Sequence, residues 1–296
     1  MGQAQIDPTV LVRPGAVVER DAVVGPYAII EENAKIGAGA RVGAGCVVGA
    51  AARIGDGCVL GRYVTLGDGV IIGAGCRLED HCVCCARVEM GEECLIGCQG
   101  IVGKPPRVAA SSSLAGRSAG DPLRLGRGCV IGCGAVLTNG TVLGDNIFVG
   151  DKASVRERCR IGDGVVIGGA VNIENDVAIG ARTKIQTGAY ITAYVTLEED
   201  VFIAPMVVTS NDNFMGRTER RFQYVKGAHI KRGARVGAGA VLLPGVVVAE
   251  ETFVAAGALV TRDTPAAYVV MGQPAKPLRP VETDELTDSQ DGVADR

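Results

Sequence analysis

Asn139, Glu157, Asn175, Ala193 and Asn211 recur at 18-residue intervals, and their successors are Gly140, Arg158, Asp176, Tyr194 and Asp212. Carboxylates and carboxamides of this kind can hold an amine by hydrogen bonds or accept its proton. The series runs into Ser210 to Gly227, SNDNFMGRTERRFQYVKG, where Asn211, Asp212 and Asn213 stand beside Phe214, Phe222 and Tyr224. Arg217, Arg220, Arg221 and Lys226 are interleaved with them. Such cations suit phosphate oxygens, and the rings suit a base or simply pin the loop. A long loop inside a compact repeat is a functional candidate. We expect Asn139, Tyr194, Asn211, Asp212, Asn213, Arg217, Arg220, Arg221, Phe222 and Tyr224 to contact substrate. Asn, Asp and Gly are also ordinary turn residues, as Asp56, Asp68 and Asp163 illustrate, so any one of them can be structural.

The element that positions them is a six-residue repeat. Every sixth residue is apolar from Val12 to Val102, again from Leu125 to Ile203 and its continuation at Thr209, and from Ile230 to Val260, 37 hexads in all. The next residue is usually Gly, and the one two before is small or β-branched, as at Ala34, Cys46 and Val64. Each hexad reads as one short strand and a turn. Two stretches break the rhythm, 103–122 (GKPPRVAASSSLAGRSAGDP) and 210–227. The expected organisation is a lead-in (1–9), an N-terminal stack (10–102), an excursion (103–122), a central stack (123–209), the active-site loop (210–227), C-terminal coils (228–276) and a disordered acidic tail (277–296).

Composition narrows the partners. A net charge of −3 over 296 residues gives no reason to expect nucleic acid or a membrane surface. No apolar run suits a bilayer span, and MGQAQIDPTV lacks the regions of a signal peptide, so a cytoplasmic location is expected. Of eleven cysteines, Cys46, Cys58, Cys76, Cys82, Cys94, Cys129 and Cys159 take the small inward position and read as buried free thiols. Cys84 is expected inward and Cys85 in the turn, so they do not converge, and no metal is expected. His81 reads as a solvated corner; His229 follows the loop on an outward strand position.

A hexad repeat with a large inward residue and a Gly-rich turn resembles the hexapeptide acyltransferases over about residues 10–276. That resemblance implies an all-β fold, a left-handed parallel β-helix of about twelve coils with two loop excursions, three hexads to each 18-residue coil. Residues 18 apart then lie one above another, and the series above becomes a column. Within Asn172 to Lys276, NIENDVAIGARTKIQTG, GAHIKRGARVGAGAVLLPG and MGQPAK are similar to the nucleotide-sugar N-acetyltransferases acting on dTDP-linked 3-amino-3,6-dideoxyhexoses.

By that likeness the chain is a homotrimer of surface-polysaccharide biosynthesis. It binds a nucleotide-amino-sugar and, as co-substrate, acetyl-CoA, which lies between neighbouring prisms. Lys226, Lys231, Arg232, Gly239, Gly257, Arg262 and Lys276 would line the CoA path, and Glu157, Asn175 and Asp176 would be catalytic. The sugar amine attacks the thioester; Asp176 or Glu157 takes its proton while Asn175 orients it, or these groups only position the amine and the leaving thiolate takes the proton. Another acyl donor or acceptor, or a non-catalytic scaffold, remains open at this stage.

Overall fold

We describe residues 2–107 and 121–287 of a computed structural model; most of the 103–122 excursion therefore lies outside the described residues. The chain divides into two compact units, Met1–Arg158 and Cys159–Arg296. Both are built mainly from two-residue strands in three largely parallel sheets, which we number as first, second and third faces. The first unit contributes eight, eight and seven strands to the three faces, and the second seven, five and five. The fold is the expected β-solenoid of the left-handed parallel β-helix class, with about fourteen turns rather than twelve. Pairing already begins at Gln5–Ile6, ahead of the first regular hexad, and extends to Tyr268–Gly272.

Register follows the repeat. Leu60 pairs with Leu78, 18 positions on, and Val59 with Arg77. In nearly every strand the second residue is buried and the first faces out, so the interior is a stack of aliphatic side chains. The lowest coil is the exception. Val12 is expected inward but is 45% exposed, because no coil lies beneath it to cover its side chain. Across the first excursion the pairing step lengthens to 35, Leu95 with Val130; across the second it is 33, Thr196 with His229. The sheets continue through both interruptions.

The glycine after each inward residue has a packing reason. A Cβ on Gly49 would lie 2.5 Å from the carbonyl carbon of Gly67 in the next coil, closer than any side chain tolerates. The small inward position has a polar one. Cys46, Cys58, Cys76 and Cys82 donate their thiols to carbonyls 15 residues on, at 3.0–3.1 Å; Thr141 and Thr183 donate hydroxyls over the same 15 residues and Thr252 over 13, at 2.6–2.8 Å. All seven cysteines expected in this position are buried and free, as is Cys84.

The C-terminal segment differs from expectation. Residues 277–287 are ordered: Ala275–Pro280 returns antiparallel along Tyr268–Gly272, and the buried Val281 donates its N–H to the Ala267 carbonyl. Glu285 then reaches Arg235 at 2.8 Å, and Thr287 bonds Glu251. Backbone pairing and specific ion pairs fix a segment whose composition alone reads as disordered. Residues 288–296 of the expected tail lie outside the described residues.

Candidate active site

In the second unit the corner between the second and third faces carries the expected column. The N–H of Tyr194 donates to the Asn175 carbonyl at 3.3 Å, and Asn211 Nδ2 donates to the Ala193 carbonyl one coil further on at 3.3 Å. Asn175 is only 2% exposed and gives its Nδ2–H to Asp176 Oδ2 at 2.6 Å. Asp176 is half-buried and has φ 59°, left-handed backbone that Asp tolerates at a turn. A buried amide thus holds a partly exposed carboxylate. Asn175 acts on Asp176, whereas the sequence suggests it acts on an amine directly.

The Ser210 loop is inserted into this same corner. Its neck closes where the Lys226 N–H donates to the Asn211 carbonyl at 3.0 Å, and Gly227 then settles on Tyr194. A Cβ at Gly227 would fall 2.3 Å from the Tyr194 carbonyl carbon, so only glycine lets the chain rejoin the stack. Asp212 organises the interior of the loop: it accepts from the amides of Phe214 (2.8 Å) and Gly216 (2.9 Å) and from Arg221 Nη1 (3.3 Å). The Gly216 and Phe214 amides, with help from Arg221, hold its carboxyl below the usual value. Asp212 is therefore committed to the loop's own backbone.

Around it Phe214 meets Tyr224 at 5.9 Å, Arg220 lies over Phe214 at 5.4 Å and Arg221 over Phe222 at 4.6 Å. Asn213, Arg217, Arg220, Phe222, Tyr224 and Lys226 remain exposed, which makes a basic and aromatic lip. Tyr194, exposed below the lip, belongs to the same surface.

Two residues of the series lie in the first unit. Glu157 is buried, with Arg156 Nη2 at 3.1 Å and Arg158 Nη2 at 3.9 Å from its Oε1. Asn139 Oδ1 accepts the Leu123 N–H at 3.3 Å, and its own N–H donates to Lys104, so it ties down both ends of the first excursion.

The candidates for CoA spread over three corners of the second unit. Gly239 and Gly257 stack between the first and second faces, and a Cβ on either would meet nothing within 4 Å. Lys231 and Arg232 occupy the corner between third and first, Lys231 being 3.9 Å from Glu250, while Lys226 and Arg262 follow strands of the second face. Lys276 lies on the returning strand.

The sequence does not reveal one pair. His229 Nε2 is 2.6 Å from Glu198 Oε1, and Glu198 Oε2 accepts the Arg232 N–H at 3.0 Å. A partly exposed imidazole bonded to a glutamate that a backbone amide fixes is the kind of arrangement that can serve as a general base with an orienting group. The 33-residue step made by the loop hides that adjacency in the sequence. His81, by contrast, is an exposed corner stacked on Tyr63 at 5.3 Å.

The bacterial transferase hexapeptide model matches residues 15–50 and 51–86, and the hexapeptide repeat of succinyl-transferase matches residues 122–150. A 2,3,4,5-tetrahydropyridine-2,6-dicarboxylate N-acetyltransferase of Staphylococcus aureus is 47% identical over 55 residues, 19% of this chain and 22% of that protein. The chain spans about a quarter of the length of the curated relatives it matches. Among solved structures, a mutant GDP-perosamine N-acetyl transferase from Caulobacter crescentus in complex with CoA and GDP-perosamine is 29% identical. That alignment covers 45% of this chain and 56% of the other, with a TM-score of 0.39. The Arabidopsis UDP-N-acetylglucosamine acyltransferase is 18% identical over 93% of this chain and 74% of its own, with a TM-score of 0.38. Over residues 15–86 and 122–150 the chain thus carries hexapeptide repeats similar to those of bacterial transferases.

Proposed function

We propose that the protein is an acyltransferase that uses acetyl-CoA to N-acetylate an amino sugar carried on a nucleotide, with a dTDP-linked 3-amino-3,6-dideoxy sugar the preferred candidate. The observation that carries this reading is the Asn175–Asp176 pair on the corner into which the basic, aromatic loop is inserted. The S. aureus relative, an N-acetyltransferase by name, supports transfer to nitrogen. In the reaction the amine, as its free base, attacks the acetyl carbonyl, and the C–S bond breaks as the amide forms. Asp176 accepts the ammonium proton, and Asn175 is the positioning residue that fixes the carboxylate. Glu157 is bracketed by two guanidinium groups, so we assign the proton to Asp176. Arg217, Arg220 and the exposed rings of Phe222 and Tyr224 take the nucleotide.

A homotrimer is part of the reading. The outward column of the second face in the second unit includes Tyr190, Val208, Val241 and Leu259, and the first two are 37% and 40% exposed. An apolar column of that kind suits burial against another copy.

Thiol release from acetyl-CoA with dTDP- and UDP-linked 3-amino and 4-amino sugars, checked by HPLC of the nucleotide product, tests this. Turnover with one of them is expected. Absence of turnover together with absence of CoA binding by calorimetry overturns it. One observation favours a second reading, O-acylation: a hydroxyl depends on a general base more than an amine does, and His229, held by Glu198 at 2.6 Å, has the geometry of one. Turnover of a hydroxyl acceptor that is lost in His229→Asn and kept in Asp176→Asn would select it.

A further inference from the structure

Three cysteines lie in turns rather than in the core, Cys85 half-buried and the other two exposed. Cys98 and Cys133 sit outside the core, on the corner between the first and second faces of the first unit, and both are exposed. They occupy the same turn position in successive coils although 35 residues separate them. A Cβ on Gly97 would lie 3.0 Å from Cys133 Sγ, a measure of how closely the two turns stack. The same turn position holds Arg62 and Asp80 in the two coils before and Asp151 in the coil after.

Glu79 completes the group. On this corner a backbone amide is ordinarily capped by the aspartate of the following coil: Asp80 accepts from Arg62 N–H at 2.7 Å and Asp151 from Cys133 N–H at 2.8 Å. A thiol is a weak acceptor, and at Cys98 the carboxylate arrives from the coil before instead. Glu79 Oε2 accepts the Cys98 N–H at 3.2 Å and faces its Sγ at 3.3 Å. One ligand atom from each of Glu79, Cys98 and Cys133 then lies within 4.8 Å of the others. The neighbouring cleft, of about 240 Å³, is open to water and bordered by Asp80 and Arg77.

We propose that Glu79, Cys98 and Cys133 form a binding site for a borderline-soft divalent cation, with zinc the best match. Two sulfurs and one carboxylate oxygen are a zinc donor set and a poor one for magnesium or calcium. Tetrahedral zinc with Zn–S bonds of about 2.3 Å needs its sulfurs about 3.8 Å apart, a small adjustment for exposed turn side chains. Binding forms two S–metal bonds and one O–metal bond, each thiol releases its proton to solvent, and water takes the fourth position. No electron moves. Cys98 precedes the first excursion and Cys133 follows it, so the ion would clamp the two coils that the excursion interrupts. The site is separate from the acetyl-transfer reading and does not depend on it.

The test is titration of the reduced full-length protein with cobalt(II), then displacement by zinc(II), following the thiolate-to-cobalt charge-transfer band. The band is expected to saturate at one equivalent per chain. It should disappear in C98S and in C133S, and Glu79→Gln should weaken binding at least tenfold. A rise in thermal midpoint with zinc that is absent from both serine variants is expected as well. Cys98 and Cys133 lie on exposed turns and Glu79 is half-buried beside them, and retained β circular dichroism establishes that the variants fold. No band in the reduced protein, a band that survives the C98S/C133S double variant, or a Cys98–Cys133 disulfide with no metal uptake after reduction overturns the proposal.

Discussion

A carboxylate that takes a proton from an alkylammonium must be close to it, partly dry and held still. Asp176 meets the last two conditions through the 2.6 Å bond from the buried Asn175 amide. Asp176→Asn is expected to lower kcat/KM about 10²–10⁴-fold, the usual worth of general-base help, with CoA affinity unchanged by calorimetry. Asn175→Ala should cost less, because the carboxylate survives but loses its orienting bond. Asp212 is expected to behave differently. Its folded pKa is depressed, so its contribution to loop order is fully present above the ordinary carboxylate value and is lost as pH falls through the lower folded value. Protection of the Phe214 and Gly216 amides against hydrogen exchange, taken relative to the intrinsic rate at each pH, should therefore fall below about pH 4. At neutral pH, Asp212→Ala should speed tryptic cleavage after Arg217 and Arg220.

At the scale of the element, each hexad is a strand of two residues and a turn, and two constraints act on its glycines. Gly49 is required for space, since a Cβ would enter the next coil's backbone 2.5 Å away; Gly57 only supplies φ +67° with open space around it. Gly49→Ala is expected to cost about 1–3 kcal/mol by overpacking. Gly57→Asn should stay within about 0.5 kcal/mol of the parent, because Asn33 and Asn146 hold the same backbone at equivalent turns. Thermal denaturation of the two variants side by side checks the contrast. The loop of residues 212–226 follows the same logic: it is accommodated because Asn211, Lys226 and Gly227 close its neck on one turn.

At the scale of the whole molecule, most of the outward strand positions on the second face of the second unit are apolar, which is why we read that face as buried between copies. Sedimentation should give about three times the 30.4 kDa chain mass. Val208→Glu should shift that mass toward the monomer and lower turnover with it, while a monomeric parent would remove the trimer from the proposal. The ordered segment to Thr287 adds the Glu285–Arg235 ion pair to the second unit, a contact to be removed by truncation after residue 280.

The six-residue period by itself determined most of the strands, the inward residues from Val24 onward, the buried thiols and the column Asn175–Ala193–Asn211, because in a solenoid sequence distance converts directly into height. Only the tertiary structure decided what that arithmetic does not reach. Val12 is exposed because it lies at the end of the stack, and 277–287 is ordered because a returning strand and two side-chain contacts supply what its composition lacks. Asn175 turns to Asp176, and Asp212 to its own loop, because a hydrogen bond depends on ångströms and angles that a spacing of 18 does not specify. The pairs Glu198–His229 and Cys98–Cys133 are adjacent in space but 31 and 35 residues apart, since each spans an insertion that resets the count.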